Sequence, residues 1–248
     1  MKPYTVEAIV LRSKPLDGAD KLLVLFSRER GRLRALAYGA GKPASRKRGA
    51  VQPFSRASIL LDEGRELDVV RQAQEIEGMP HLHEDLEAMA FAAYFAELVE
   101  SFSPEQEPNE PLFAAFLAAL RGLGRAGDRG LLALAFTARV LALAGLAPLL
   151  DACAGCGAPP AADVAFSLGA GGVLCRACRG TDPGARDLPP GTLRILEHLF
   201  TWPLEHVSRL RPGAETRREL AALLLSQVRF HLEREPKSLS FLRQLGAL

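Results

Sequence analysis

Two short cysteine pairs, Cys153-Ala154-Gly155-Cys156 and Cys175-Arg176-Ala177-Cys178, constrain this chain of 248 residues more than any other feature. Eighteen residues separate the pairs, inside the spacing window of a four-thiolate zinc site. Two residues between cysteines make a tight turn that aims both sulfurs at one tetrahedral ion, and Gly157 relieves the turn that follows. Four protein ligands leave no position for water, so the Zn2+ ion expected there is structural rather than catalytic. It would staple a segment too small to build its own core. The competing reading, two redox dithiols, lacks the strand-to-helix junction of a thioredoxin-like pattern. Arg176 and Arg179 on the same segment are candidate phosphate contacts, or else solubilising charges.

The first eighty residues have a different pattern. Tyr4–Leu11, Lys21–Ser27, Gly31–Tyr38, Phe54–Leu61 and Arg65–Glu77 are short runs rich in Val, Ile and Leu, divided by turn signals. Five strands in that length predict an OB-fold barrel, whose face and loops often bind single strands. On the third strand, side-chain alternation sets Arg32, Arg34 and Tyr38 on one face and Leu33, Ala35 and Ala37 on the other. Cations for phosphates and a flat ring for a base make a nucleic-acid platform; a solvated charged face is the plainer alternative. The polar connection Gly39 to Pro53 is expected to be mobile, and its Lys42, Arg46, Lys47 and Arg48 to contact phosphate. It is no phosphate loop of the Walker type, because Gly39 and Gly41 are one residue apart and Pro43 follows Lys42.

Charge is informative only when split by region. Residues 1–60 hold thirteen Lys/Arg against four Asp/Glu, and residues 81–120 hold eight acidic residues and no Lys or Arg. A basic module followed by an acidic segment fits a polyanion-binding face, with the acidic segment kept off the polyanion. From residue 84 the apolar period becomes helical, with Asn109 as a candidate N-cap and further helices over Thr192–Trp202, about Thr216–Glu233 and Ser238–Leu245. Phe91, Tyr94, Phe95, Phe113, Phe116 and Trp202 are expected in the helical core. Leu131 to Leu150 is apolar enough to suggest a membrane span, but Arg139 at its centre and Gly145 and Pro148 at its end argue for a buried core helix. The N-terminus has no apolar run of a signal peptide, which argues against export. His81 and His83 beside Glu84 and Asp85 read as a helix start rather than an acid–base cluster. No Gly-x-Ser-x-Gly, HExxH or spaced carboxylate pair supports an enzyme. The expected class is α+β: an OB-fold over 1–80, helices over 81–150, a four-cysteine zinc-finger insert over 151–182 and C-terminal helices over 183–248.

In order along the chain stand Asp20-Lys21-Leu22, Gly31-Arg32-Leu33-Arg34, Gly39-Ala40 and Ser45-Arg46. They are followed by Gly145-Leu146-Ala147-Pro148, Cys153-Ala154-Gly155-Cys156-Gly157, Phe166-Ser167, Gly171-Gly172-Val173-Leu174-Cys175 and Lys237-Ser238-Leu239 with Phe241-Leu242. This set, over nearly the whole length, resembles the RecO family of bacterial recombination mediators. The resemblance implies a cytoplasmic, nucleoid-associated, non-enzymatic protein of DNA repair and recombination. It would bind single- and double-stranded DNA, anneal complementary strands and help load the recombinase RecA on DNA coated by single-stranded DNA-binding protein. Partners implied are RecR and the acidic C-terminal tail of that binding protein, with no membrane. The DNA-binding set would be Lys21, Arg32, Arg34, Tyr38, Lys42, Arg46, Lys47 and Arg48, and the metal ligands Cys153, Cys156, Cys175 and Cys178. Tyr38 stands where lysine is often found, which trades a cation for a stacking surface. Some members lack the cysteines, which argues against zinc as the universal functional element of the family. The alternative function is a scaffold whose barrel docks a protein partner or acidic tail; a zinc-dependent hydrolase would need an open metal position.

Overall fold

Short runs rich in Val, Ile and Leu build the first part of the molecule. In the computed structural model, which describes residues 2–160 and 163–247, strands β1 (Pro3–Pro15), β2 (Lys21–Ser27), β3 (Gly31–Ala37), β4 (Arg56–Asp62) and β5 (Asp68–Glu77) close a barrel in the order β1-β2-β3-β5-β4. β1 pairs antiparallel with both β2 and β4, and β3 lies parallel to β5, so the expected five-stranded barrel is present with OB-like order. Val6, Ala8, Val10, Leu23, Leu25, Leu33, Ala35, Ile59 and Leu61 fill its interior. Each fully buried large aliphatic side chain there stabilises the fold by about 1.5–3 kcal/mol. A bulge between Val10 and Arg12 shifts the register of β1 against β2. Before it even-numbered residues face inward; after it Arg12 and Lys14 stand outside.

The connection from Gly39 to Pro53 differs from the mobile loop expected. It is a run of tight turns whose Ala40, Ala50 and Val51 are buried in the barrel core, where they plug one end. Gly41 N–H donates to the Ala19 carbonyl at 2.7 Å, and Gly39 N–H to the Asp20 carboxylate at 2.7 Å. Three small apolar side chains and two anchored amides hold a stretch whose composition alone suggested freedom.

Helices α1 (Pro80–His83), α2 (Leu86–Phe102) and α3 (Glu110–Leu123) follow. Asp85 caps α2 by accepting from Ala88 N–H at 3.0 Å, and Asn109 caps α3 through Leu112 N–H at 3.0 Å. Phe91, Tyr94, Phe95, Phe113 and Phe116 are fully buried, as expected. The last helix, α7 (Lys237–Gln244), belongs with these elements: the chain forms one unit from Met1–Arg129 and Pro236–Ala247 and a second from Gly130–Glu235. The buried Glu97 on α2 accepts from the backbone N–H groups of Lys237 and Ser238 and from the Ser238 hydroxyl, at 2.9, 2.8 and 2.6 Å. A carboxylate thus satisfies the orphan amides at the start of α7.

The second unit holds α4 (Arg129–Leu143) from Gly130 onward, α5 (Pro190–Thr201), α6 (Ala214–Leu232) and a three-stranded antiparallel sheet of β6 (Val164–Ser167), β7 (Gly172–Cys175) and β8 (Arg186–Leu188), in the order β7-β6-β8. Helix α4 is the apolar stretch around Arg139, whose guanidinium donates to the Trp202 carbonyl. Among the described residues no helix is long and apolar enough to cross a membrane. Trp202 departs from its expected place in the core. It is half-buried just past the end of α5, its ring stacked on His198 at 4.2 Å, because the chain turns out of the helix at Pro203.

Candidate nucleic-acid interface and metal centre

Cross-strand register arranges the outer face of β1, β2 and β3 in rows. Ile9, Phe26 and Arg32 share one row; Arg12, Val24 and Arg34 the next; Lys14, Leu22 and Leu36 the third. The first row is covered. Ile9 and Phe26 have no exposed surface, and the Phe26 ring meets Phe113 of α3 at 6.1 Å. Arg12 marks the border, paired with Glu100 of α2 at 2.7 Å. Beyond it the face is open: Lys14 and Arg34 are exposed, Leu22, Val24 and Leu36 are half-buried, and Tyr38 one step past β3 is 55% exposed. An apolar strip with one aromatic ring is therefore flanked by cations.

The plugging turns add charge at the same end of the barrel. Lys42, Arg46 and Arg48 are exposed. Lys21 opens β2 opposite Ala37, the residue before Tyr38. Partial burial holds the Lys21 ammonium below its ordinary range, and the positive charge of Arg48 adds to this. Lys47 is half-buried and donates its Nζ to the Val70 carbonyl at 2.8 Å, which fixes it to β5. Among the described residues Lys14, Lys21, Arg34, Lys42, Arg46, Lys47 and Arg48 make no ion pair, so this end of the barrel carries uncompensated positive charge.

Most of the barrel's other arginines are paired within the protein, whereas Arg65 between β4 and β5 is exposed. Glu7 lies between Arg28 at 3.2 Å and Arg56 at 2.8 Å, and Glu77 accepts from Arg121 and approaches Arg56 at 3.5 Å. Hydrogen bonds from Arg121 are the main reason the Glu77 carboxyl is held below its usual range. Arg30 stacks over the Tyr4 ring at 3.8 Å, and Arg71 pairs with Asp62. Arg32, expected beside Arg34 on an open surface, is instead half-buried and 3.7 Å from Glu105, so the acidic segment does not stay clear of the basic strand. Sequence reasoning missed Lys14, because the bulge that turns it outward leaves no mark in the residue pattern. It also missed Asp20 as the residue that anchors the turn after Tyr38. His81 bonds the Leu120 carbonyl at 3.2 Å, and His83 lies against Phe54, consistent with a structural reading.

In the second unit the four cysteine sulfurs lie within 4.8 Å of one another. Cys156 and Cys175 sulfurs are 3.8 Å apart, which matches the edge of a tetrahedron about 3.8 Å long that metal–sulfur bonds of about 2.3 Å would span. The Gly157 N–H donates to the Cys153 carbonyl at 2.8 Å in a turn that requires φ of +73° at Gly157. A Cβ on Gly155 would stand 3.0 Å from the Cys178 Cβ, so a side chain there would crowd the approach of the two pairs. The Cys175 N–H, 3.3 Å from the Cys153 sulfur, helps to hold that thiol down at about 6, while its three sulfur neighbours push Cys178 up to about 12. Four thiolates this close need a cation among them, and the donor set suits a soft divalent metal held without water. On the same segment Arg179 pairs with Asp187, and Arg176 is exposed.

A family model described as Recombination protein O N terminal matches residues 1–79, and one described as Recombination protein O C terminal matches residues 83–240. A DNA repair protein RecO from Desulforudis audaxviator is 51% identical over 246 residues, covering 99% of this chain and 98% of the relative. Its counterpart from Pelotomaculum thermopropionicum is 45% identical over 246 residues, covering 99% and 96%. One from Symbiobacterium thermophilum is 34% identical over 249 residues, covering 99% and 98%. With both halves matched and relatives this similar along their whole length, the chain belongs to the RecO family of DNA repair proteins.

Proposed function

We propose that this protein is a non-enzymatic mediator of DNA repair and recombination that binds single- and double-stranded DNA along the open end of its barrel and anneals complementary strands. The observation that carries the reading is the sorting of charge: carboxylates neutralise the arginines under the helices, and the cations around Tyr38 have none. Arg34, Lys42, Arg46 and Arg48, with Lys14, Lys21 and Lys47 beside them, would neutralise phosphates on two strands at once and lower the repulsion that opposes annealing. Tyr38 and the half-buried Leu22 and Leu36 would receive unstacked bases. Contacts of this kind read no sequence, which suits repair intermediates of arbitrary sequence.

In this reading the segments divide the work: 1–80 for nucleic acid, 81–150 and 183–248 as helical support for partner proteins, 151–182 for a structural Zn2+ held by Cys153, Cys156, Cys175 and Cys178. The metal would supply cross-linking, and the chain's own turns at Gly155 and Gly157 present the sulfurs to it. Loading of recombinase on DNA coated with single-stranded DNA-binding protein, with RecR and the acidic tail of that protein as partners, extends the same reading to the nucleoid of the cytoplasm.

A salt series of DNA titrations tests it. An Arg34→Glu/Arg46→Glu/Arg48→Glu variant should lose roughly 100-fold in affinity for an oligonucleotide at low salt, and its log–log salt slope should flatten by about 2. A variant that folds normally yet binds and anneals like the parent refutes the assignment. Tighter binding of an acidic peptide than of DNA would favour the scaffold reading. Chelation should unfold the cysteine segment while the barrel's DNA affinity stays at the parent level.

A further inference from the structure

Strand β3 closes the barrel against β5 through Ala35 with Asp68 and Leu36 with Val69. Its first half, Gly31 to Arg34, presents edge groups beyond that pairing. The connection between α2 and α3 fills part of this edge. Arg32 and Glu105 form an isolated parallel bridge, and the Gln106 N–H donates to the Arg32 carbonyl at 3.0 Å. The approach is close enough that a Cβ on Gly31 would stand 1.9 Å from the Glu107 carbonyl oxygen. Glycine at this position is required twice, for the contact and for its φ of +63°.

The charges follow the backbone. Glu105 Oε1 is 3.7 Å from Arg32 Nη2, with the Glu105 side chain 50% exposed. The Arg32 Nε is buried with no hydrogen-bond partner, so proximity of charge holds this guanidinium, and no bidentate fork is formed. Gln106 sits at φ of 58°, a left-handed conformation that a glutamine adopts at a cost in backbone energy. A long, half-exposed ion pair on a strained backbone is a weak closure.

We propose that residues 103–109 are a displaceable acidic strap: Glu105 stands where a nucleic-acid phosphate would meet Arg32, and polynucleotide advancing along β3 from Arg34 exchanges with it. The proposal rests on the DNA-binding reading of the barrel and gives that site a built-in competitor. Free protein keeps Arg32 covered and offers DNA the open end alone. Bound DNA gains a further phosphate contact once the strap has moved, so weakly held or short strands are rejected first.

The test compares the parent chain with Glu105→Gln, Arg32→Gln, the double variant, and Glu66→Gln as a control for loss of one exposed charge. Each is titrated with fluorescent oligo(dT) across a salt series. Glu105→Gln should bind about fivefold tighter at low salt. Its log–log slope should be steeper by about 0.7, the signature of one more phosphate contact. Glu66→Gln should stay near the parent, and the double variant should fall back to Arg32→Gln. A gain shared equally by Glu66→Gln, or one that survives in the Arg32→Gln background, overturns the strap. Hydrogen exchange gives a second reading: saturating oligo(dT) should speed exchange of the Gln106 amide. Normal DNA binding with unchanged Gln106 protection sinks the strap alone, whereas a parent that binds no DNA sinks the DNA reading with it.

Discussion

The two ends of one sheet face behave as different materials. At the Ile9–Phe26–Arg32 end, aromatic contacts from α3 and carboxylates from neighbouring segments cover the strands and cancel their charge. One to two rows away, Lys14 and Arg34 make no ion pair among the described residues, and the Tyr38 ring just past β3 stands in solvent. A count of basic residues in the first sixty treats both ends alike. The distinction comes from whether a charge has a partner inside the protein or must find one outside it, and β3 contributes an arginine to each class.

The largest effect that would sharpen this contrast is at the covered end. Phe26→Ala should cost about 3–5 kcal/mol in chemical denaturation, through lost burial and the cavity left against Phe113. Its folded fraction should bind oligonucleotide as the parent does; weakened binding by fully folded protein would mean that the two ends are one functional surface. Next is the open end. Tyr38→Ala should leave the denaturation midpoint in place and lose about 1–3 kcal/mol of affinity for single-stranded DNA, with a smaller loss for duplex, whose bases are already stacked. Equal losses on both substrates would remove stacking from the account. The smallest effect is the acid response of the clamped charges. The folded-state pKa of Glu77 lies below its unfolded value, so the native state binds fewer protons between the two. The stability this carboxylate contributes is complete above the unfolded pKa and is lost as pH falls through the folded one. A Glu77→Gln variant should therefore be less sensitive to acid over that window; an unchanged pH dependence would show that the Arg56 and Arg121 pairs contribute nothing measurable.

The strands of the barrel were legible because runs rich in Val, Ile and Leu stand between turn signals, and the cap at Asn109 because a polar side chain precedes an apolar run. The cysteine spacing announced a cluster, and the four sulfurs do converge. Strands β6, β7 and β8 were not legible: they are three or four residues long, and Val164–Ser167 is buried on both faces and so carries no alternation. The ordered turns after β3 were hidden because Ala40, Ala50 and Val51 are isolated in a basic stretch, and their common destination is set by the barrel and not by neighbours in sequence. Arg32 and Glu105 are far apart along the chain, and alternation on β3 gives no hint that another segment lies over one of its two arginines.

The grip of Glu97 on the start of α7 has a consequence for how the protein is made. Because α7 completes the unit that begins with β1, a ribosome must release everything up to residue 236 before that unit can be whole. The nascent barrel must wait, unfinished at the α2 surface, while the cysteine segment and its helices emerge and fold behind it. Deleting α7 would therefore wound the barrel unit, far from it along the chain.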